Sequence, residues 1–198
     1  MQQKNEPRSN KARTDATRSA LLDAARMLFA AKGYAETSTP EVVKTAGVTR
    51  GALYHHFADK VDLFRAVVTE EYRAVAADIS ATADDAPGSA LDALKEGSRG
   101  YLEAMQAPGR VRIMLLDGPA VLGQADLTES DRVTSVDALR LGLIEAMDAG
   151  EIRALPLGAL TVQLSALFDS AALAVSGGES AEEHLQVIDA LLDSLART

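Results

Sequence analysis

Apolar residues recur at helical spacing along most of the chain, and no segment shows the two-residue alternation that is typical of a β-strand. The first clear set stands at i, i+3, i+4 and i+7: Leu21, Ala24, Ala25 and Leu28. Gly33 follows, at a position where a left-handed residue commonly ends a helix. The pattern predicts an all-α protein whose first helix begins at about Asp15.

A short second helix is predicted to end at Gly47. Thr39 stands before Pro40, which gives this helix an N-cap followed by proline at its first position. Ser38 and Glu41 could instead form a capping box that starts the helix one residue earlier. The sequence leaves these two starts open.

Two further helices follow in quick succession. Thr49 caps a third helix that runs through Phe57, and Asp59 caps a fourth. The apolar positions of the fourth helix are Val61, Phe64, Val68, Tyr72 and Val75. After the break at "ADDAPGS", apolar positions typical of further helices resume at Leu91, Leu94, Tyr101, Leu102, Met105, Val111, Met114, Leu115, Val133, Val136, Leu143 and Met147.

The last two helices carry the most regular stripes. Leu157, Leu160, Leu164, Leu167, Ala171 and Val175 mark the first, and Leu185, Ile188, Leu192 and Leu195 mark the second. Ser180 and Glu183 predict a capping box at the start of the second, and "SGG" joins the two as an antiparallel pair. The stripes either pack within their own domain or meet a second copy in a four-helix bundle.

Charge divides the chain into two parts. The net charge is −9, but residues 1–65 hold 11 Lys or Arg against 7 Asp or Glu, whereas residues 66–198 hold 9 against 22. Opposite charge in two parts of one chain suggests two different tasks. Cysteine, a secretory signal and a run of ~18 uncharged apolar residues are all lacking. We therefore expect a cytoplasmic protein with no membrane partner.

The segment "GVTRGALYHHFAD" is the best candidate for chemistry. A short helix, a glycine-containing turn and a second short helix are typical of a helix-turn-helix, whose second helix enters the DNA major groove. Arg50 suits a guanine edge, and Thr39 and Thr49 suit phosphate or base. Gly51 leaves room for close approach to the DNA.

Three more side chains complete this candidate DNA-binding surface. Tyr54 lies four residues beyond Arg50 and so shares its helix face. His55 can reach a phosphate, and Lys60 opens the fourth helix, where an ammonium group and free backbone N–H groups together suit a phosphate. Packing alone would leave this alignment of polar residues unexplained.

Other kinds of site fit this segment less well. Adjacent residues on a helix point about 100° apart, so His55 and His56 cannot easily chelate one ion, and no metal or other cofactor is expected. The third histidine, His184, lies far away, and the chain has neither a G-x-S-x-G motif nor a phosphate-binding glycine loop. The sequence does not predict an enzyme.

Over about 55 residues the chain resembles the N-terminal DNA-binding module of the tetracycline-repressor (TetR) family. The stretches "LFAAKGY", "AGV", "LYHHF" and "DK" occur in the order and spacing of that family. The resemblance implies a three-helix DNA-binding domain, a divergent helical regulatory domain with a ligand pocket, and a dimer formed by the last two helices. By matching position it places operator contacts on Thr39, Thr49, Arg50, Tyr54, His55 and Lys60. Pro40 departs from many members and should preserve the helix start.

These observations together predict a basic arm at residues 1–14, a helix-turn-helix DNA-binding domain at residues 15–60 and a larger helical regulatory and dimerisation domain at residues 61–198. The expected partners are a palindromic double-stranded DNA operator, a small-molecule effector and a second copy of the chain. The predicted dimer interface consists of Leu160, Leu164, Leu167, Ala171, Leu185, Ile188, Leu192 and Leu195. A helical ligand carrier or enzyme with an incidental helix-turn-helix is the alternative.

Aromatic and methionine side chains indicate where an effector could bind. After residue 65 the aromatic residues are Tyr72, Tyr101 and Phe168, each on a different predicted helix. Met105 and Met114 are flexible and polarizable, which suits an adaptable pocket wall. These five residues form the predicted ligand site, although core packing explains them as well.

Overall fold

The computed structural model describes residues 10–84, 88–123 and 133–197, and within them the chain forms nine helices. They are α1 (Asn10–Lys32), α2 (Thr39–Ala46), α3 (Arg50–His56), α4 (Lys60–Asp84), α5 (Ala90–Met105), α6 (residues 110–123), α7 (Val133–Asp148), α8 (Leu157–Ser176) and α9 (Ala181–Asp193). A π-helical segment, Arg112–Asp117, lies within α6. The prediction of an all-α fold is confirmed.

The first of two compact units, Met1–Val67, contains α1 to α3 and the start of α4. Helix α1 packs against α2 and α3, and α2 packs against α3. Phe29 and Phe64 meet edge to face with ring centroids 5.0 Å apart, and both are fully buried. The boundary predicted at residues 60 and 61 therefore falls inside this unit, because the first turns of α4 supply Leu63, Phe64 and Val67 to its core.

The helix boundaries in the first unit follow the predicted caps, with one exception at the start of α1. Thr49 Oγ1 accepts a hydrogen bond from Ala52 N, and Asp59 Oδ1 accepts one from Asp62 N, as predicted. Of the two starts that the sequence left open for α2, the structure has the earlier one, with Ser38 as the N-cap residue, although Ser38 makes no side-chain cap bond. Helix α1 begins at Asn10 rather than near Asp15, so residues 10–14 are helical and not part of an arm.

The second unit, Val68–Thr198, is built around α5. This helix packs against α7, α8 and α9. Helix α4 comes so close at Gly100 that a Cβ atom there would lie 2.6 Å from Thr82 Oγ1, so glycine is needed for this contact. Leu102, Ile113 and Leu143 are fully buried side chains of this core.

A buried ion pair joins α4 to the start of α6 within this unit. Arg110 Nε donates to Glu71 Oε2 at 2.6 Å, and Arg110 Nη1 donates to the carbonyl oxygen of Ala104 at 2.6 Å. Both side chains of the pair are nearly inaccessible to solvent. Because a buried charge is costly without partners, these bonds fix Glu71 on α4 to the turn that precedes the π-helical segment.

The last two helices turn much of their predicted stripe into the chain's own core. Five of the eight residues predicted at a dimer interface are buried within the single chain: Leu164, Ala171, Leu185, Ile188 and Leu192. Packing within the chain accounts for these five side chains without a partner, so their place at a dimer interface stays a prediction. Helix α9 also ends at Asp193, so Leu195 lies beyond it, where Ile152 and Ala196 form an isolated antiparallel bridge.

Candidate nucleic-acid interface and ligand cavity

The helix-turn-helix consists of α2, a turn at residues 47–49 and α3. Gly47 takes a left-handed conformation with φ of 66°, which few other residues adopt without strain, and its N–H bonds to the carbonyl oxygen of Lys44. Thr49 then caps α3, whose buried side is formed by Leu53. Gly47 and Thr49 thus set the angle at which α3 presents its outer face.

Three predicted DNA-binding residues come together on that face. The Arg50 guanidinium carbon lies 5.5 Å from the ring centroid of Tyr54, as expected for residues four apart on a helix. A hydrogen bond with the Thr39 side chain of α2, followed by one with Arg50, lowers the pKa of the Tyr54 hydroxyl. Tyr54 remains 44% exposed. The cluster of Thr39, Arg50 and Tyr54 is therefore both held in place and open to solvent.

The remaining predicted residues of α3 are exposed beside this cluster. Thr49 and His55 are exposed, and because Thr49 Oγ1 acts as the acceptor in its cap bond, its hydroxyl proton can be donated elsewhere. Gly51 is exposed as well, and a Cβ atom there would make only an ordinary contact of 3.9 Å with Thr49 Oγ1. A backbone can therefore approach α3 closely at Gly51.

Lys60 differs from its prediction in one respect. Its ammonium nitrogen lies 4.0 Å from the ring centroid of Tyr34, in a cation–π contact. Partial burial lowers the pKa of Lys60, and burial followed by the charge of Asp59 raises that of Tyr34. Lys60 therefore helps to pack the first unit, whatever contact it makes with phosphate.

A cavity of about 260 Å³ lies among helices of the second unit. Four of the five residues predicted at a ligand site line it: Tyr72, Tyr101, Met114 and Phe168. Met105 is not among the lining residues and is buried in the core, although it follows Tyr101 by one helical turn. The Tyr101 hydroxyl donates a hydrogen bond to Asp169 Oδ1 at 2.6 Å, a partner that the sequence alone did not indicate.

Among the described residues, no three His, Asp or Glu side chains are grouped so that they could hold a metal ion. The rings of His55 and His56 meet edge to face at an interplanar angle of 73°, with centroids 5.3 Å apart.

Two family models match the chain on either side of residue 67. Residues 21–67 match bacterial regulatory proteins of the tetR family, and residues 91–198 match the tetracyclin repressor-like C-terminal domain. The chain belongs to the tetR family. It is accordingly a DNA-binding transcriptional regulator with an N-terminal helix-turn-helix domain and a helical C-terminal domain.

Individual proteins agree with this assignment. The TetR-family chain is 51% identical over 57 residues to the HTH-type transcriptional regulator AcrR of Shigella flexneri, a match that covers 29% of this chain and 26% of that protein. It is 27% identical over 185 residues to the transcriptional repressor AcnR of Corynebacterium efficiens, covering 91% and 93% of the two chains. The structure of a TetR-family regulator from Pectobacterium atrosepticum superposes with a TM-score of 0.74 at 29% identity, covering 96% and 99%.

The first unit of this TetR-family protein also exposes basic residues that sequence reasoning missed. Lys44 is exposed in the last turn of α2, and Lys11, Arg13 and Arg18 are exposed along α1. A signal was present in the excess of basic over acidic residues before residue 65. The sequence did not indicate which of these side chains point to solvent.

Proposed function

We propose that this protein is a ligand-responsive repressor that binds a palindromic DNA operator as a homodimer in the cytoplasm and is released when a small molecule occupies its cavity. The exposed cluster of Thr39, Arg50 and Tyr54 on the helix-turn-helix is the observation that carries this proposal. The name of the Corynebacterium relative, a transcriptional repressor, supports repression rather than activation. The names of the Shigella and Corynebacterium relatives, a transcriptional regulator and a transcriptional repressor, support a non-catalytic role.

In this proposal each predicted DNA-binding side chain has a stated task at the DNA. Arg50 reads a guanine through its O6 and N7 atoms, since a guanidinium can donate two parallel hydrogen bonds there. Tyr54, aligned by Thr39, contacts backbone or a thymine methyl group. Thr49, His55 and Lys60 contact phosphates and position the helix without selecting a base.

The proposed dimer uses the outward faces of α8 and α9. Val162, Leu173, Val187 and Leu191 are 63%, 38%, 56% and 45% exposed in the single chain. By length and composition alone, helix α8 is apolar enough to cross a membrane. Only 28% of its most apolar stretch is buried in the single chain, so much of this apolar surface is open to a partner. A second copy covers such a surface by forming a four-helix bundle, and its two-fold axis matches that of a palindrome.

The proposed effector site is the cavity of the second unit. Helix α4 contributes Tyr72 and Ile79 to its wall, and the π-helical segment of α6 contributes Met114 and Leu115. A ligand bound there can shift the protein between two conformations only by the difference in its affinity for them, commonly ~1–3 kcal/mol. Such a difference is enough to change operator affinity between about 5-fold and 150-fold.

Titration of DNA from the region upstream of the protein's own gene tests this function. Fluorescence anisotropy at several salt concentrations should show saturable binding that is far tighter than binding to a shuffled duplex of equal length. The stoichiometry should be two chains per duplex. Equal affinity for both duplexes at every salt concentration would favour the helical carrier or enzyme with an incidental helix-turn-helix.

A further inference from the structure

The charged residues that line the cavity of the second unit share one sign. Within the described part of the chain they are Glu145 on α7 and Asp169 on α8, and no lysine or arginine side chain joins them. Most of the other lining residues are apolar, including Ile79, Leu94 and Leu139. An anionic ligand would face the Asp169 carboxylate in a largely apolar cavity, where like charges repel more strongly than they do in water, and would also meet Glu145 at the edge.

Asp169 is anchored beside aromatic rings. Its Oδ1 atom accepts the Tyr101 hydroxyl proton at 2.6 Å, and Tyr101 itself is only 8% exposed. A carboxylate can accept about four hydrogen bonds in total, so this bond is compatible with a ligand donor at the same group. Tyr101 therefore holds the carboxylate of Asp169 in one orientation at the cavity wall.

Two aromatic rings line the same cavity as this carboxylate. The ring centroids of Tyr101 and Phe168 lie 6.2 Å apart, and both residues line the cavity. The face of an aromatic ring attracts a cation within about 6 Å, and the attraction is stronger when water is excluded. A carboxylate combined with aromatic rings is the arrangement that favours an ammonium group over a neutral or anionic one.

We propose that the cavity takes a small apolar amine, whose ammonium group bonds to Asp169 and lies against the rings of Tyr101 and Phe168 while its hydrocarbon part contacts the apolar wall. Glu145 is exposed and adds negative charge at the edge of the cavity, which attracts the cation before it binds. This assignment rests on the proposed function, for which it names the chemical class of the effector.

Three probes of equal shape and different charge test the assignment: 4-phenylbutylamine, 4-phenylbutanol and 4-phenylbutyrate. Calorimetric titration of the full chain at neutral pH should show that the amine binds about tenfold tighter than the alcohol and that the carboxylate binds weakest, because hydrogen bonds between charged groups are the stronger ones. This comparison needs no variant and so cannot fail through misfolding. An amine that binds no tighter than the alcohol, or a carboxylate that binds tightest, overturns the proposal.

Variants then locate the ammonium group. Asp169→Asn keeps an oxygen acceptor for Tyr101 but removes the charge, so amine affinity should fall about tenfold while alcohol affinity stays the same. Glu145→Gln, at an exposed position, should lower amine affinity less. Asp148→Asn, an exposed carboxylate on the same helix as Glu145 but outside the cavity lining, should change neither. Unchanged amine affinity in Asp169→Asn contradicts the assigned position.

Operator titration with the same protein separates this inference from the proposed function. Saturable operator binding with no preference for the amine leaves a DNA-binding regulator whose effector belongs to another class. Preference for the amine without operator binding supports the cavity assignment and contradicts the proposed function. Release of the operator by the amine, but not by the butyrate, supports both.

Discussion

At the residue scale, the cluster of Thr39, Arg50 and Tyr54 depends on one contact within α3 and on another between α2 and α3. The spacing of Arg50 and Tyr54 could be read from the sequence, because residues four apart share a helix face. The hydrogen bond between Thr39 and Tyr54 could not, because it depends on how α2 packs against α3. This second bond limits the rotation of the tyrosine ring, so less conformational freedom is lost when DNA binds.

Arg50→Ala should weaken operator binding by roughly 1–3 kcal/mol and relax preference at a single base pair. The reason is that a bidentate contact to guanine is lost while the phosphate contacts remain. Anisotropy titrations on a set of operators, each with one base pair changed, measure both effects. Arg73→Ala is the matched control, because Arg73 is an exposed arginine of the second unit paired with Glu70. An unchanged base preference in Arg50→Ala would show that Arg50 does not read a base.

Two different substitutions can separate the two roles of Lys60, the proposed phosphate contact and the packing against Tyr34. Lys60→Met keeps an unbranched stem against Tyr34 but removes the charge, so operator affinity should fall alike for all sequences and the salt slope should decrease by about 1. Lys60→Ala should in addition lower stability, by about 0.5–1 kcal/mol, since the cation–π contact and the stem are both lost. Thermal unfolding compares the two variants. A salt slope that Lys60→Met leaves unchanged would assign Lys60 to packing alone.

At the element scale, helix ends were predictable wherever one side chain determines them. Thr49 and Asp59 cap their helices as predicted, and Gly33 and Gly47 have φ of 85° and 66° where helices were expected to end. The early start of α1 was missed because the basic charges of Lys11 and Arg13 suggested an arm, although lysine, alanine and arginine all favour helix.

The end of α9 depended on a distant segment. The backbone beyond Asp193 pairs with the residues that precede α8: Arg153 N donates to the carbonyl oxygen of Leu195, and Arg197 N donates to that of Glu151. Helical spacing continues through Leu195, so the sequence pattern gave no sign of this competing pairing. Non-local hydrogen bonds of this kind fix helix ends that local signals leave open.

Two ion pairs, Arg110 with Glu71 between α6 and α4 and Arg73 with Glu70 within α4, allow a direct comparison of buried and exposed charge. Arg110 and Glu71 lie 2.6 Å apart and are 8% and 4% exposed, whereas Arg73 and Glu70 lie 2.7 Å apart in solvent. Arg110→Met should lower the free energy of unfolding by about 3–5 kcal/mol, because it removes the buried positive charge that lies against the Glu71 carboxylate.

Arg73→Met should lower it by less than about 1 kcal/mol, since solvent screens the exposed pair. Urea unfolding followed by circular dichroism measures both variants. The double variant Arg110→Met with Glu71→Leu should recover much of the loss, because neither charge of this pair then remains buried. Equal costs for Arg110→Met and Arg73→Met would mean that burial does not set the strength of the Arg110 pair.

At the scale of the whole molecule, the sequence predicted the fold and the helix-turn-helix but not which side of α8 faces the core. This helix is apolar nearly all round, so its heptad-like spacing does not indicate a direction. Thr161, a polar residue, is 3% exposed and bonds through its hydroxyl to the carbonyl oxygen of Leu157, while Val162 beside it is 63% exposed. Only packing against α5 and α7 decides between such faces.

This difference between faces changes which substitutions should split the proposed dimer. Val162→Glu and Val187→Glu place a charge on the outward faces of α8 and α9, so each should yield a folded monomer with reduced operator affinity.

Leu164→Glu, two residues further along α8 but only 7% exposed, should instead unfold the second unit, because its charge would be buried within the chain. Sedimentation velocity at micromolar concentration gives the mass, and circular dichroism on the same samples gives the helix content. A dimeric Val162→Glu together with a dimeric Val187→Glu would exclude these faces from the interface, and a monomeric wild type that binds its operator would exclude the bundle itself.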